Sequence, residues 1–206
     1  MKHSTVKGIA GAAALALAMT VASQASAATI NFATGGDGTS AGGSVAGGPL
    51  TYTNSASASG FLNYNASVTQ SGFGLGVNGT PDLQPGQIDS ILVGSEVLTI
   101  TFSWAVKLMD ISLGLLNSWD DFEIATNNSG YSQRGPGLTN PIAINENNVT
   151  WFSIRASGNN EFLHIGNDAF TLASANVAAV PVPAAGFLLI GALGGLAALR
   201  RRKTLA

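Results

Sequence analysis

From Leu98 to Leu108 the chain alternates without a break. Leu98, Ile100, Phe102, Trp104, Val106 and Leu108 are apolar or aromatic, with Thr99, Thr101, Ser103, Ala105 and Lys107 between them. A two-residue period sends the two sets to opposite faces of a strand, so one face is expected to be buried, with Trp104 in the core. After Leu108 the phase slips by one, with Met109, Ile111, Leu113 and Leu115 apolar. The slip implies a bend or bulge near Leu108 to Asp110, or two strands in close succession. Phe122 and Ile124 begin a further strand. Phe152, Ile154 and Ala156 mark another, with Trp151 facing its opposite side, and Phe170 and Leu172 a late one. Pro81, Pro85, Pro136 and Pro141 lie in the turn-rich stretches between them, and no stretch of the middle holds a helical period. The pattern predicts an all-β domain, a β-sandwich of jelly-roll type.

The two ends have a different texture. Lys2 and Lys7 precede an Ala- and Leu-rich apolar run, followed by Ala25 and Ala27 in the small-x-small spacing that signal peptidase accepts. The expected cut follows Ala27, with Ala28 the next choice. At the other end, Ala184 to Leu199 carries no charged or polar side chain, and Arg200, Arg201, Arg202 and Lys203 come next. At helical rise that apolar run spans about 24 Å, slightly short of a bilayer core. Snorkelling arginines and local thinning close the gap, and the basic cluster keeps its end cytoplasmic. The division expected is therefore a signal-peptide helix at 1–27, a Gly/Ser-rich arm at 28–49, the sandwich at 50–178 and a C-terminal transmembrane sorting helix within 179–206. Gly191 and Gly195 add a G-x-x-x-G pair, a spacing that serves helix dimerisation but is also common in membrane segments.

Val180-Pro181-Val182-Pro183-Ala184, then the apolar run, then the basic cluster, resembles the PEP-CTERM class of bacterial sorting signals. The motif is similar to the VPLPA variant, with Val182 where that variant usually has leucine. The resemblance covers about 25 residues. It implies processing by an exosortase or a related membrane peptidase near the Pro-x-Pro motif, a membrane anchor before that step, and a domain delivered to the cell surface or beyond. The middle resembles a loosely defined β domain found with such tails. That likeness rests on Gly74-Leu75-Gly76-Val77, Gln87-Ile88-Asp89, Glu96 to Phe102, Asp120-Asp121-Phe122 and Asp168 to Leu172. It implies no activity.

Charge narrows the partners. Between Ala28 and Val180 stand three basic residues, Lys107, Arg134 and Arg155, against eleven acidic ones, a net charge of −8. A chain so poor in cations cannot displace phosphate counterions, which argues against nucleic acid. There is no cysteine, hence no disulfide framework, thiol nucleophile or thiolate metal site.

Few motifs promise chemistry. Gly74, Gly76 and Gly79 spell G-x-G-x-x-G, but Pro81 and Pro85 follow where a dinucleotide fingerprint needs a helix. His164 is the lone histidine of the middle, and no nucleophile elbow accompanies it. Asp120, Asp121 and Glu123 beside Trp119 read as solvated loop acids. Their alternatives are oxygen ligands for calcium or the acid and base of a glycosidase. Trp119, Tyr131 and Trp151 are candidate glycan contacts, since aromatic faces stack on sugar rings while amides and carboxylates take the hydroxyls. Asn117, Asn127 and Asn128 are near enough in sequence to help. The reading that results is an exported, non-catalytic surface or extracellular-matrix protein with weak polysaccharide affinity and no required cofactor. The other class is a small secreted glycan-acting hydrolase.

Overall fold

The computed structural model describes residues 27–33, 37–45, 48–60, 65–79, 84–91, 94–118, 120–135, 139–157 and 168–180. These belong to one compact unit, Ser26–Val180. The described chain is all-β. Its strands are β1 Ala27–Asn31, β2 Gly38–Thr39, β3 Gly42–Ser44, β4 Thr51–Gly60, β5 Ser67–Ser71 and β6 Gly74–Asn78. They continue with β7 Ile88–Ile91, β8 Gly94–Gly114, β9 Phe122–Thr126, β10 Ser129–Arg134, β11 Ile142–Ala156 and β12 Ala169–Ala179. They form one antiparallel sheet whose main path runs β10-β9-β11-β8-β7-β12-β6-β5-β2; β1 joins β12, and β3 joins β4, which joins β8. Among the described residues no helix is long and apolar enough to cross a membrane. The sorting-motif residues Pro181 to Ala184 and the basic tail Arg200 to Lys203 lie outside the described residues, as does Ala25.

β8 organises the sheet. Its first half pairs with β4, from Gly60↔Gly94 to Tyr52↔Phe102. Its second half pairs with β12, from Ala179↔Val106 to Thr171↔Gly114. β11 accompanies both halves, from Arg155↔Val97 to Ile142↔Ile111. The predicted phase slip near Leu108 is a bulge inside this single strand. Val177 opposes Leu108 and Asn176 opposes Asp110, so Met109 is the extra residue. Leu108 and Ile111 are accordingly both buried.

Trp104 is the correction. The alternation places it in the core, yet it is 41% exposed. The cause lies in the partner strand. Trp151 opposes Thr101, but Val149, only two residues back, opposes Val106. β8 must therefore bulge between Thr101 and Val106, and Trp104 rides on the bulge while Phe102 and Val106 stay buried on either side.

The predicted Gly/Ser-rich arm also turns out differently. β1 pairs along its whole length with β12, from Ala27↔Ala178 to Asn31↔Ser174. Ile30, Phe32 and Val45 are buried in the core. Phe32 meets Tyr52 edge-on at 5.4 Å. The composition concealed this because glycine there admits close backbone approach: at Gly42, with φ of 134°, a methyl group would overlap the backbone of β4.

Gly74 and Gly76 have the same kind of role. Both lie in β6, and a methyl at either would run into backbone, the Leu172 carbonyl for Gly74 and the Gly86 carbonyl for Gly76. The G-x-G spacing thus serves strand packing. The remaining core is assembled from the buried faces of the long strands, with Phe102 against Phe152 at 6.0 Å and Phe122 against Phe170 at 5.8 Å.

Candidate functional site

The solvent-facing side of β4, β8, β11, β9 and β10 collects the notable polar and aromatic groups. Because side chains alternate along each strand, the registers align them in rows. Ser57, Val97, Arg155, Glu123 and Gln133 form one row. Ser55, Thr99, Ser153 and Ala125 form the next, and Thr53, Thr101 and Trp151 the third. Phe152 and Ile154, on the opposite face of β11, are fully buried, so Trp151 faces outward as its phase predicts.

Tyr131 reaches this surface from β10. It is 40% exposed, and its hydroxyl donates to the buried Ser153 Oγ at 3.3 Å. The Arg155 guanidinium lies 4.0 Å from the centre of its ring. Arg155 also contacts Glu123 Oε2 through Nε at 2.5 Å and through its Nη2 at the same distance. The arginine is therefore stacked and paired at once, which fixes the plane of the tyrosine ring. The result is a surface on which Thr53, Ser55, Ser57 and Thr101 are exposed together with Tyr131 and half-buried Trp151, with one ion pair, Arg155–Glu123, while Ser153 and Ala125 are buried.

The asparagines expected to assist are engaged elsewhere. Asn127 Nδ2 donates to the Asn148 carbonyl at 3.0 Å, and Asn127 Oδ1 accepts from Thr150 N at 2.7 Å. Asn128 Nδ2 donates to the Asn147 carbonyl at 2.8 Å. These bonds clamp the turn between β9 and β10 onto β11. Trp119 and His164 lie outside the described residues.

The three acids proposed for calcium take separate positions. Asp120 is 2% exposed and ties the turn before β9 together: Oδ2 accepts from Asn117 N at 2.6 Å, and Oδ1 from Asn117 Nδ2 at 2.8 Å and Ala169 N at 3.5 Å. Asp121 binds through its backbone, its N–H donating to Asp168 Oδ1 at 3.1 Å and its carbonyl accepting from Ser157 N at 3.1 Å. Glu123 is taken by Arg155 on the sheet face. Among the described residues, no group of three or more histidine or acidic side chains is gathered to hold a metal.

Burial pushes the Asp120 carboxyl above its ordinary value of 3.8, with nearby Asp121 adding to the rise and the accepted hydrogen bonds opposing it. A raised folded value means that the folded state holds this proton more tightly. The stability it contributes is complete below 3.8 and is lost as pH rises through the folded value. The stability gap between the parent and Asp120→Asn, read from urea midpoints, is expected to shrink as pH rises through that window. A gap that widened would contradict the assignment.

The sequence reading missed a buried pair of acids. Asp89 and Glu96, each 1% exposed, stand opposite one another in the extension of the Ser90↔Ser95 register, with Asp89 N donating to Glu96 Oε2 at 3.3 Å. A signal was present: Glu96 is two residues before Leu98 and in phase with the buried Leu98–Ile100–Phe102 series. A shallow groove of about 550 Å³ lies apart from the predicted contacts, with Thr39, Thr69, Gln70, Phe73, Gln87 and Leu115 among its walls. Its apolar rim, Phe73 and Leu115, is exposed.

No family model, curated protein or solved structure matches this chain.

Proposed function

We propose that the chain is an exported, non-catalytic surface or matrix protein that holds polysaccharide weakly on the face carrying Trp151 and Tyr131. The observation that carries this reading is the Tyr131–Arg155–Glu123 stack on the same face as Trp151, which lies four residues along β11 from Arg155, together with the exposed hydroxyls of Thr53, Ser55, Ser57 and Thr101. Sugar rings present C–H faces for aromatic stacking and hydroxyls for short polar side chains, and this surface supplies partners for both. The strand pairing supports a jelly-roll-like sandwich. In it β4, β8, β11, β9 and β10 make one layer, and β12 with β1, β6 and β5 makes the other. Export, anchoring and processing near Pro181 to Pro183 are supported by the two terminal signals, with a signal peptidase and an exosortase-type peptidase as partners.

A glycan-acting hydrolase is disfavoured by the placement of the carboxylates. Asp89 and Glu96 are paired but buried, where no substrate reaches them. Glu123, the acid of the sheet face, is already taken up by the ion pair with Arg155, and no second carboxylate stands with it on that face in the registers described.

The test uses mature protein recovered from outside the producing cell, in affinity electrophoresis through gels of neutral polysaccharide. Trp151→Ala and Tyr131→Ala should each weaken retention by roughly 2- to 10-fold, as expected for a stacking contact of about 0.5–1.5 kcal/mol. Retention equal to the parent in both variants would remove the face from consideration. The termini of the same material report on export: the proposal expects a start at Ala28, and secreted protein beginning at Met1 would overturn it.

A further inference from the structure

β4 is hydrogen-bonded along its whole length on one side only. Toward β8 the register runs from Tyr52 to Gly60. On the other side β3 covers Thr51 to Thr53, and Asn54 N donates to the Ala41 carbonyl at 3.2 Å. Beyond Asn54, among the described residues, no strand pairs with that edge. The direction of the Asn54 N–H identifies which groups are left. By the two-residue period, the N–H and C=O of Ala56 and Ala58 point to the same unpaired side.

An edge of this kind is a template for another strand, and proteins usually guard it with lysine, proline or a bulge. Ser55-Ala56-Ser57-Ala58 has none of these, and its register with β8 is unbroken. We infer that β4 pairs edge to edge, antiparallel, with β4 of a second copy of this chain.

Two observations select a second copy over another partner. The first is charge. Residues 28–180 carry a net −8, so two copies repel, yet residues 38–81 contain no acidic or basic side chain. Copies that meet through β4 put no charged residue of β4 at the seam. The acid on the adjoining strand, Glu96 opposite Ala58, is buried, and screening removes most of the repulsion between exposed charges further off. The second is self-complementarity. A two-fold axis through Ser57 sets Ala56 opposite Ala58 of the second copy, and Ala58 opposite Ala56. Both become hydrogen-bonded pairs, together four backbone bonds, while Ser57 faces its own equivalent across a non-hydrogen-bonded pair. The same axis leaves the two outward faces on one side, so the Trp151 and Tyr131 surfaces become continuous. The inference itself rests on the edge and stands whether or not that face binds glycan.

The chain has no cysteine, so a single introduced thiol reports without background. In the full chain, Ser57→Cys places two thiols across a pair whose Cα atoms are about 4.5 Å apart, within disulfide range. Ser55→Cys places them about 13 Å apart along the strand, out of range. Mild oxidation should convert S57C to a covalent dimer and leave S55C monomeric. Adding Ala58→Pro to S57C should abolish the cross-link, since it removes an outward N–H and spares the bonds to β8. If that double variant does not fold, the comparison of S57C with S55C decides alone. Equal cross-linking of the two single variants overturns the proposal. So does an S57C chain whose thiol stays reduced and reacts freely with a thiol reagent.

Discussion

Gly74→Ala is expected to destabilise the protein by roughly 2–6 kcal/mol, seen as a large fall in the urea midpoint with an unchanged slope. Two effects add. Gly74 sits at φ of 133°, a conformation closed to L side chains, and forcing a residue there carries about 1–3 kcal/mol of strain. The new methyl would also overlap the Leu172 carbonyl and the Ala173 Cα on β12, backbone that cannot swing aside. Overpacking of that kind typically costs about 1–3 kcal/mol. Against a net stability of about 5–15 kcal/mol for a domain, the sum is severe. Gly72, two residues earlier in the turn, has nothing within 4 Å of the same methyl. Gly72→Ala should therefore stay within about 0.5 kcal/mol of the parent. Similar losses at the two positions would mean that β6 does not lie against β12 as described.

The second large effect separates two aromatics in neighbouring strands. Phe152 is fully buried and packs on Phe102, so Phe152→Ala should cost about 3–5 kcal/mol. Trp104 is the larger side chain and belongs to the most regular apolar series in the sequence, yet Trp104→Ala should cost well under 1.5 kcal/mol because its ring is at the surface. Equilibrium unfolding of the two variants is the measurement. If Trp104→Ala proved the costlier of the two, the bulge between Thr101 and Val106 would be misplaced.

Trp104 also shows what alternation can and cannot reveal. Leu98 and Ile100 were legible because β4 and β11 run beside them without a slip, and Phe102 because β4 does, and a regular ladder preserves the phase of the chain. Trp104 was not, because its orientation is decided by how many residues β11 spends between Val149 and Trp151, a property of another segment altogether. The Met109 bulge was visible for the opposite reason: it shifts the apolar phase of β8 itself. The binding face divides in the same way. The outward aim of Trp151 follows from its buried neighbour Phe152. The stack of Arg155 on Tyr131 depends on β10 folding back along β9, which no local pattern announces. Glu96 shares the apolar phase of Leu98 and Ile100, but a carboxylate at the head of such a series resembles the end of a strand and so hides its burial.

The pairing of β1 with β12 has a consequence for how the fold is reached. Thr29 Oγ1 donates to Asn176 Oδ1 across 147 residues of chain, and β12 has β8 as a further partner at Asn176↔Asp110. Contacts so distant in sequence form late, because the loop between them must be closed before they repay it. A chain emerging N-terminus first, from a ribosome or a pore, presents β1 with no neighbour until nearly the whole domain has followed. Ile30 and Phe32 stay exposed for all of that time. Completion is thus governed by the last strand to arrive: β12 gives β1 a place and finishes the second half of β8 together. A truncation that removed only β12 would leave β1 without its partner and the second half of β8 paired along β11 alone, and should yield a chain that does not fold, however intact the other strands remain.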